Sequence, residues 1–215
     1  MTRLGKIVTE RLVESLPKAF SEQEKQFIRR QLLEKGKQLF ERHGIKKTSI
    51  DEIVDAVGLS KGAFYLFYES KEDLLLAVLE QLETDFRTRI FDFSISSQSN
   101  ARPRLSKLLK DALLTWDEYP LLKNLGNADY EYLARKLPPE RIQAHNHRDD
   151  EFVSDFIRRI KDEGISVSAS PRIMSNLMKS LFFVSLHRNE LGSDTYVETM
   201  SVLADLIAGY ILEGT

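Results

Sequence analysis

Helix starts follow one another at very short intervals between residues 49 and 73, and this spacing constrains the fold more than any other feature of the sequence. A Ser-x-x-Glu capping box begins at Ser49, a serine cap follows at Ser60, and a Ser-x-x-Asp box begins at Ser70. Gly58 lies between the first two signals and favours the end of a helix. The pattern therefore predicts two helices of roughly eight or nine residues each, which are marginal alone and must be held by caps and packing.

Two short helices joined in this way suit a helix-turn-helix, whose first helix lies across the DNA backbone while the second enters the major groove. The second helix would begin with Lys61, Gly62 and Ala63, a start that is small and basic. The two small residues would let the helix N-terminus approach the duplex, where its free N–H groups and dipole favour a phosphate. Lys61 could reach a phosphate or a guanine edge, and Tyr65 a phosphate or a thymine methyl. The sequence thus predicts a helix-turn-helix between Ile50 and Tyr68.

Apolar residues recur at three- and four-residue spacing over nearly the whole chain, which is the period of an α-helix. Helix-breaking residues are few, with 10 glycines and 6 prolines among 215 residues. A long helix is predicted from Ser70 to Phe93, and the polar stretch 94–100 after it is the clearest break in composition. The sequence therefore predicts an all-α fold.

Composition excludes several classes of function. Cysteine is absent, which rules out disulfides, thiolate metal sites and a cysteine nucleophile. The four histidines are scattered, and the sequence has neither a phosphate-cradling glycine loop nor carboxylates paired in an apolar setting, so we expect no enzyme and no cofactor. Because the formal net charge is −2, DNA binding would depend on a few well-placed cations. No apolar run approaches the roughly 20 residues that span a bilayer, and the charged N-terminus lacks a signal-peptide core, so a cytoplasmic protein is expected.

Three short runs carry a resemblance to a known family: TSIDEIV at 48–54, GLSKGAFY at 58–65 and SKEDL at 70–74. Together they resemble the N-terminal signature of the tetracycline-repressor (TetR) family, and the close resemblance covers Phe27–Leu76. The remainder is similar only in being helical with the right length and order. The resemblance implies a transcriptional regulator, and in particular a ligand-responsive repressor that binds a palindromic operator as a dimer. The alternative is an all-α adaptor that binds other proteins without binding DNA.

The resemblance implies three parts along the chain. An N-terminal extension, expected to be helical, covers residues 1–20. A three-helix DNA-binding domain with the helix-turn-helix covers 21–76, and a C-terminal helical domain for ligand binding and dimerisation covers 77–215. In the extension, either Arg3 and Lys6 enter a minor groove, or the apolar side of the segment packs on the domain.

The resemblance also implies operator contacts at the starts of the second and fourth helices and along the reading helix. Leu66 stands where the family usually has a polar residue, and Phe67 precedes Tyr68 where the reverse order is common. Base reading is therefore expected to rely more on apolar contact than is usual. The predicted DNA-binding residues are Thr48, Ser49, Ser60, Lys61, Gly62, Ala63, Tyr65, Leu66 and Lys71.

One helix-turn-helix covers only a half-site, so specific binding usually needs two of them held about 34–36 Å apart. Ala204 and Ala208 lie four residues apart near the C-terminus and would allow two helices to approach closely. The resemblance favours a four-helix dimer interface here, and the alternative is that this stripe only closes its own domain. The predicted interface residues are Leu177, Leu181, Val197, Met200, Ala204, Ile207, Ala208 and Ile211.

The resemblance places an effector pocket in the helical domain, for a ligand that we expect to be a small apolar or aromatic molecule. Binding would move the long helix and change the spacing of the two reading helices. The alternative is that the aromatic residues at helical spacing are ordinary core. The predicted pocket residues are Trp116, Tyr119, Tyr130, Phe156 and Phe182, with Tyr132 and Phe183 as further candidates.

His145 and Asp149 stand four residues apart, as do His147 and Glu151. On a helix these two pairs lie on different faces, so the potential ligands divide between two incomplete sites. We therefore predict a solvated, charged helix face without a metal.

Overall fold

The computed structural model describes residues 20–91, 101–116 and 118–213, and all the regular elements within them are α-helices. The all-α fold class is therefore confirmed. Residues 1–19, with Arg3 and Lys6, and the polar stretch 94–100 lie outside the described residues. The helices are α1 (Glu22–His43), α2 (Ile50–Val57), α3 (Lys61–Phe64), α4 (Lys71–Phe91), α5 (Ala101–Trp116), α6 (Pro120–Asn124), α7 (Asn127–Lys136), α8 (Pro139–Asp162), α9 (Pro171–Leu186), α10 (Arg188–Leu191) and α11 (Ser193–Glu213).

The capping signals produce helix starts at the predicted positions. The Ser49 hydroxyl accepts a hydrogen bond from the Glu52 amide at 3.2 Å, and the Ser49 amide donates to the Glu52 carboxylate at 2.8 Å. The Ser60 hydroxyl accepts from the Ala63 amide at 3.1 Å at the start of α3. Gly58 ends α2 with φ at 71°, a left-handed conformation that a side chain would disfavour. These contacts satisfy backbone donors that would otherwise be unpaired at the helix ends.

The second helix of the motif is shorter than the sequence predicts. α3 covers only four residues, Lys61–Phe64, before the chain tightens into a turn. There the amides of Leu66 and Phe67 donate to the carbonyls three residues earlier, at 3.1 and 2.9 Å. Hydrogen bonds of this spacing wind the backbone more tightly than an α-helix. Tyr65 and Leu66 therefore lie on a tight turn that continues α3.

Two apolar clusters form the core. The first joins α1, α2, α3 and the first half of α4, and the leucines of α6 and α7 also pack into it. The second joins α5, α8, α9 and α11. Residue 76, the predicted domain boundary, falls inside α4, so this helix belongs to both halves of the molecule. The largest fully buried side chains of the first cluster are Phe40, Phe64, Leu32, Ile53, Leu74 and Leu75.

α11 has an apolar character on more than one side. Its segment Asp194–Leu212 is long and apolar enough to cross a membrane, by length and composition alone, which we did not expect from the sequence. In the fold, Met200 and Ala204 on one side are buried in the second cluster. The other side carries Val202 and Leu206, which are exposed. We therefore interpret α11 as a core helix with an apolar outer face.

Helices α1 and α4 pack tightly against each other at Gly36. A Cβ atom built on this glycine would lie 2.9 Å from the Leu74 Cδ2 atom, and Leu74 is fully buried. Well-packed cores do not yield readily to added methyl groups. The contact therefore fixes how α4 lies against the DNA-binding half.

We expect the Gly36→Val substitution to lower the free energy of unfolding by about 1–3 kcal/mol, because the added side chain overpacks the contact with Leu74. Urea unfolding followed by circular dichroism measures the change. Gln38→Val is the control at an exposed position of the same helix: it carries a small propensity cost, whereas valine in place of glycine gains helix propensity, so a loss at Gly36 must come from packing. A loss from Gly36→Val no larger than that from Gln38→Val would contradict the role of the close contact.

Candidate DNA-binding surface and effector cavity

The start of α3 presents its side chains to solvent. Lys61 and Gly62 are exposed, and Tyr65 and Leu66 on the following turn are 51% and 69% exposed. Phe64, between them, is fully buried and anchors α3 in the core. We call Lys61, Gly62, Tyr65 and Leu66 the reading surface. An exposed leucine beside an exposed tyrosine costs free energy in water, so this surface is suited to a partner.

The space around Gly62 is open. A Cβ built there would meet no atom within 4 Å, and Gly62 is not among the glycines with positive φ. Neither packing nor backbone conformation within the described residues therefore requires a glycine at this position. Glycine is suited to a place where another backbone comes close.

Lys61 is held by an acidic neighbour. Its Nζ atom lies 3.0 and 3.1 Å from the two carboxylate oxygens of Asp51 in the first turn of α2, and both side chains are exposed. The hydrogen bond and the charge of Asp51 raise the pKa of Lys61. An exposed pair of this kind contributes little to stability. Lys61 can therefore exchange Asp51 for a phosphate or a base edge.

Two predicted operator contacts turn out to be internal. The Thr48 side chain is only 1% exposed, and its hydroxyl donates to the Gly44 carbonyl at 2.8 Å, so the prediction that it contacts DNA is corrected. The Lys71 ammonium donates to the carbonyls of Ile45, Lys46 and Thr48 at 2.9, 3.3 and 2.7 Å. All its protons are used within the chain. Both side chains hold the turn between α1 and α2 and thereby position the reading surface.

The two predicted serines also act within the chain. Besides accepting from the helix amide, the Ser49 hydroxyl donates to the Glu52 carboxylate at 2.9 Å. Ser60 is exposed beside the reading surface and accepts from the Ala63 amide at 3.1 Å. Ala63 itself is half-buried. These residues set the orientation of α2 and α3.

A cavity of about 350 Å³ lies among α4, α5, α7, α8 and α9. Tyr130 and Phe182, both predicted as pocket residues, line it together with Phe183. The rings of Tyr130 and Phe182 lie 5.7 Å apart between centroids, and those of Tyr130 and Phe183 meet edge to face at 5.9 Å. The remaining apolar lining is Phe86, Leu109, Ala112, Leu113, Ile142, Phe152, Val153, Met178 and Leu181.

Other predicted pocket residues lie elsewhere. Phe156 is buried in the second cluster and stacks on Phe152, because it points into the core from α8. Tyr119 packs against the first cluster. The hydroxyl of Tyr132 donates to the Glu72 carboxylate at 2.6 Å, away from the cavity lining. The side chain of Trp116 lies outside the described residues.

A polar cluster that sequence reasoning missed forms one wall of the cavity. Glu83 and Arg87 from α4 meet His145 and Asp149 from α8. The Arg87 guanidinium donates to Asp149, lies 3.5 Å from Glu83, and stacks over the Phe152 ring at 5.0 Å. Burial, with the nearby charge of Asp149, raises the pKa of Glu83 to about 8, and burial lowers the pKa of His145.

The prediction of a solvated face therefore holds for only one of the two histidine pairs. His147 and Glu151 are exposed and lie 3.3 Å apart. His145 is only 8% exposed and Asp149 is half-buried, because their side of α8 packs against α4. The four-residue spacing correctly predicts that the two histidine pairs lie on different faces of α8, but it does not indicate which face is turned inward.

Ion pairs continue from this wall along α4 towards the DNA-binding half. Arg148 donates to Glu80. Arg141 lies 3.2 Å from Glu80 and 2.9 Å from Asp73, which is near the start of α4. Asp73 in turn accepts a hydrogen bond from the Glu69 amide at 3.3 Å. We call this row of contacts between α4 and α8 the ionic seam, and it connects the cavity wall to the helix that carries Lys71.

The predicted dimer stripe is largely buried inside the chain. Leu181, Met200, Ala204, Ile207, Ala208 and Ile211 are buried in the second cluster, and Leu177 is partly buried there, so these side chains close the chain's own domain. Of the predicted residues only Val197 is exposed. The other exposed apolar residues of α9 and α11 are Ile173, Phe183, Val202 and Leu206, which we call the outer apolar face.

Comparison with known proteins agrees with the geometry of the N-terminal half. The family model for bacterial regulatory proteins of the TetR family matches residues 32–78. The chain is 31% identical over 121 residues to the uncharacterized HTH-type transcriptional regulator YuxN of Bacillus subtilis, an alignment that covers 53% of this chain and 42% of YuxN. It is 27% identical over 186 residues to the HTH-type regulator YfiR of the same organism, covering 84% of this chain and 88% of YfiR.

Solved structures show the same fold over almost the whole chain. A TetR-family transcriptional regulator from Pectobacterium atrosepticum superposes with a TM-score of 0.65, covering 90% of this chain and 98% of that one at 19% identity. The overall fold is therefore similar to that of the Pectobacterium protein, although only 19% of the residues are identical.

We expect Lys71→Met to lower the free energy of unfolding by about 2 kcal/mol, because three carbonyl oxygens lose a charged donor. Chemical unfolding measures the change. Lys47→Met, an exposed position in the same turn, is the control and should be nearly neutral. A neutral Lys71→Met variant would contradict the assigned role of this ammonium.

Proposed function

We propose that this chain is a repressor that binds a palindromic operator as a homodimer and releases it when a small molecule enters the cavity. The chain belongs to the TetR family of helix-turn-helix DNA-binding transcriptional regulators. The family identifies a transcriptional regulator rather than an enzyme. The observation that carries the proposal is the reading surface, where an open glycine lies beside an exposed lysine, tyrosine and leucine. We place its action in the cytoplasm, in contact with the chromosome.

Different residues of the reading surface would make different kinds of contact with DNA. The open space at Gly62 lets the start of α3 approach the duplex, where its free amides can meet a phosphate. Lys61 would exchange Asp51 for DNA. Tyr65 and Leu66 offer apolar surface to thymine methyl groups, with the tyrosine hydroxyl available for a phosphate.

The outer apolar face supports a homodimer. Leu206 is 60% exposed and Val202 is exposed one turn before it on α11. Apolar residues grouped in this way on adjoining helices are typical of a subunit interface. A two-fold pair of chains would form a four-helix interface from α9 and α11, and would present two reading surfaces to two half-sites.

The cavity supports control by a ligand. Its size and mostly apolar lining suit a small molecule with an aromatic or apolar body. The cavity borders α4, whose start is tied by Lys71 to the turn before α2. A ligand that favours a different position of α4 would change the spacing of the reading surfaces and shift the population away from the DNA-binding state.

We expect Gly62→Ala to weaken operator binding by tenfold or more, because the new methyl group occupies space that the duplex backbone needs. Stability should stay unchanged or rise by up to about 1 kcal/mol, since alanine favours a helix. Fluorescence anisotropy with duplexes selected from a random pool by the wild-type protein measures affinity, and thermal unfolding measures stability.

Gly126→Ala is the matched control for this variant. A Cβ at Gly126 also meets no atom within 4 Å, but Gly126 precedes α7, and nothing of α7 belongs to the reading surface. The Gly126→Ala variant should bind the same duplexes as tightly as the wild-type protein. If Gly62→Ala binds equally well, the reading surface is misplaced; if wild-type protein selects no duplex at any salt concentration, the adaptor alternative is favoured.

We expect Leu206→Glu to give a monomer at micromolar concentration, because a charge would have to be buried in the dimer interface. Sedimentation equilibrium measures the mass. Phe27→Glu places the same charge on an exposed aromatic of α1 and should leave the dimer intact. A dimer that tolerates Leu206→Glu but not Phe27→Glu would move the interface to α1.

A further inference from the structure

The tertiary structure places a third potential metal ligand, from α4, beside His145 and Asp149 on α8. Glu83 of α4 lies opposite His145 and Asp149, and one ligand atom from each of the three lies within 4.8 Å of the others. Glu83 and Asp149 are partly buried, and His145 is only 8% exposed. All three line the cavity.

The imidazole of His145 has an unmet hydrogen-bonding group. Its Nδ1 atom is buried and has no hydrogen-bond partner among the described residues. Its Nε2 atom lies 3.7 Å from the Glu83 carboxylate, and Nδ1 lies 3.8 Å from that of Glu80. A buried ring between two carboxylates, too far from either for a hydrogen bond, is placed where it can bind a cation through Nε2.

We propose that Glu83, His145 and Asp149 bind a divalent ion of the zinc type, and that this ion is an effector that weakens operator binding. The regulatory half of the proposal rests on the proposed function above, whereas ion binding stands independently of it. No ligand set of this kind was expected from the sequence, where the α8 residues form an incomplete pair.

The donor atoms favour a particular class of ion. One imidazole nitrogen with two carboxylates suits Zn²⁺, Mn²⁺ or Fe²⁺, whereas Mg²⁺ and Ca²⁺ prefer oxygen alone, and the chain has no cysteine to select softer ions. Three protein ligands leave positions for water from the cavity. The Glu80 carboxylate is placed to accept a hydrogen bond from Nδ1 after a small rotation of the ring, and such partners commonly orient a metal-binding histidine.

Arg87 is the ion's competitor. Its guanidinium contacts Asp149 and lies 3.5 Å from Glu83, so the chain's own cation fills part of the charge requirement of the cluster. An entering ion would take its place on the two carboxylates, and the guanidinium, which now lies 5.0 Å from the Phe152 ring centroid and 3.4 Å from the Arg148 carbonyl, would be left with those two neighbours. The exchange replaces an α4–α8 ion pair with a direct metal bridge between the same helices.

A metal bridge at this point would act on the DNA-binding half through α4. Glu83 lies on α4, and the start of that helix is tied through Lys71 to the turn before α2. Glu80 belongs both to the ionic seam and to the surroundings of His145. Drawing Glu83 towards α8 would therefore change the position of α4 and of both reading surfaces in the dimer.

The first test measures ion binding by the full chain after treatment with a chelator. We expect isothermal titration with Zn²⁺ and with Mn²⁺ to show one site per chain. His145→Gln and Asp149→Asn should each weaken binding at least tenfold. The matched control is His147→Gln, two residues along on the solvent face of α8, which should bind as wild type does. Wild-type affinity in His145→Gln, or loss of binding in His147→Gln, would overturn the assignment.

A second variant separates the site from a general loss of folding. Arg87→Met removes the competing cation and keeps an apolar side chain beside Phe152, so it should bind Zn²⁺ several-fold more tightly than wild type. A misfolded variant would not gain affinity. Unchanged or weaker binding in Arg87→Met would contradict the displacement of Arg87.

The third test addresses regulation. We expect Zn²⁺ to weaken binding of a selected duplex about tenfold in wild type, within the usual range of coupling between two sites, and to have no effect in His145→Gln. If the ion binds with the expected variant pattern but duplex affinity stays constant, its role as an effector is wrong while the repressor proposal stands. If the protein binds no duplex, the repressor proposal fails, and ion binding is still decided by the calorimetry.

Discussion

The Lys71 ammonium joins the start of α4 to the turn before α2, and the position of the reading surface depends on this link. Because its protons are donated to three carbonyl oxygens, the ammonium ties the turn and the helix to each other. Gly36 adds a second constraint, since the close approach of α1 and α4 leaves little room for sliding. Towards its other end, α4 contributes Glu83 and Arg87 to the cavity wall. One helix therefore borders both the cavity and the DNA-binding half.

Polar groups of the helix-turn-helix divide into those that hold the structure and those that remain available to a partner. The hydroxyls of Thr48 and Ser49 are engaged within the chain, and they set the turn and the start of α2. In the part of the chain that the structure describes, Lys61 pairs with Asp51 alone, an exposed and therefore weak partner. Gly62 leaves open space beside it. A surface that is to meet DNA needs such available groups on a rigid support, and the internal hydrogen bonds provide the support.

The sequence predicts local features of the structure more accurately than features that depend on long-range packing. The caps at Ser49 and Ser60 form as predicted, because each needs only atoms three residues away. The three short motifs at 48–54, 58–65 and 70–74 also identified the chain as a transcriptional regulator. Thr48 was misassigned, since its burial depends on the packing of the whole turn. Ala204 is predicted as a dimer-interface residue but is buried in the chain's own core, because helical spacing defines a stripe without saying whether the core or a partner covers it.

The sequence by itself determined the helical fold, the positions of the helix starts and the family, because periodicity, caps and short motifs are properties of neighbouring residues. Only the tertiary structure decided which face of each helix points inward. It brought Glu83 to His145 and Asp149, which are 62 and 66 positions away in the chain, and it put Tyr130 and Phe182 in the cavity lining and Phe156 in the core. The physical reason is that the angle and rotation at which two helices pack are set by the sum of many distant contacts.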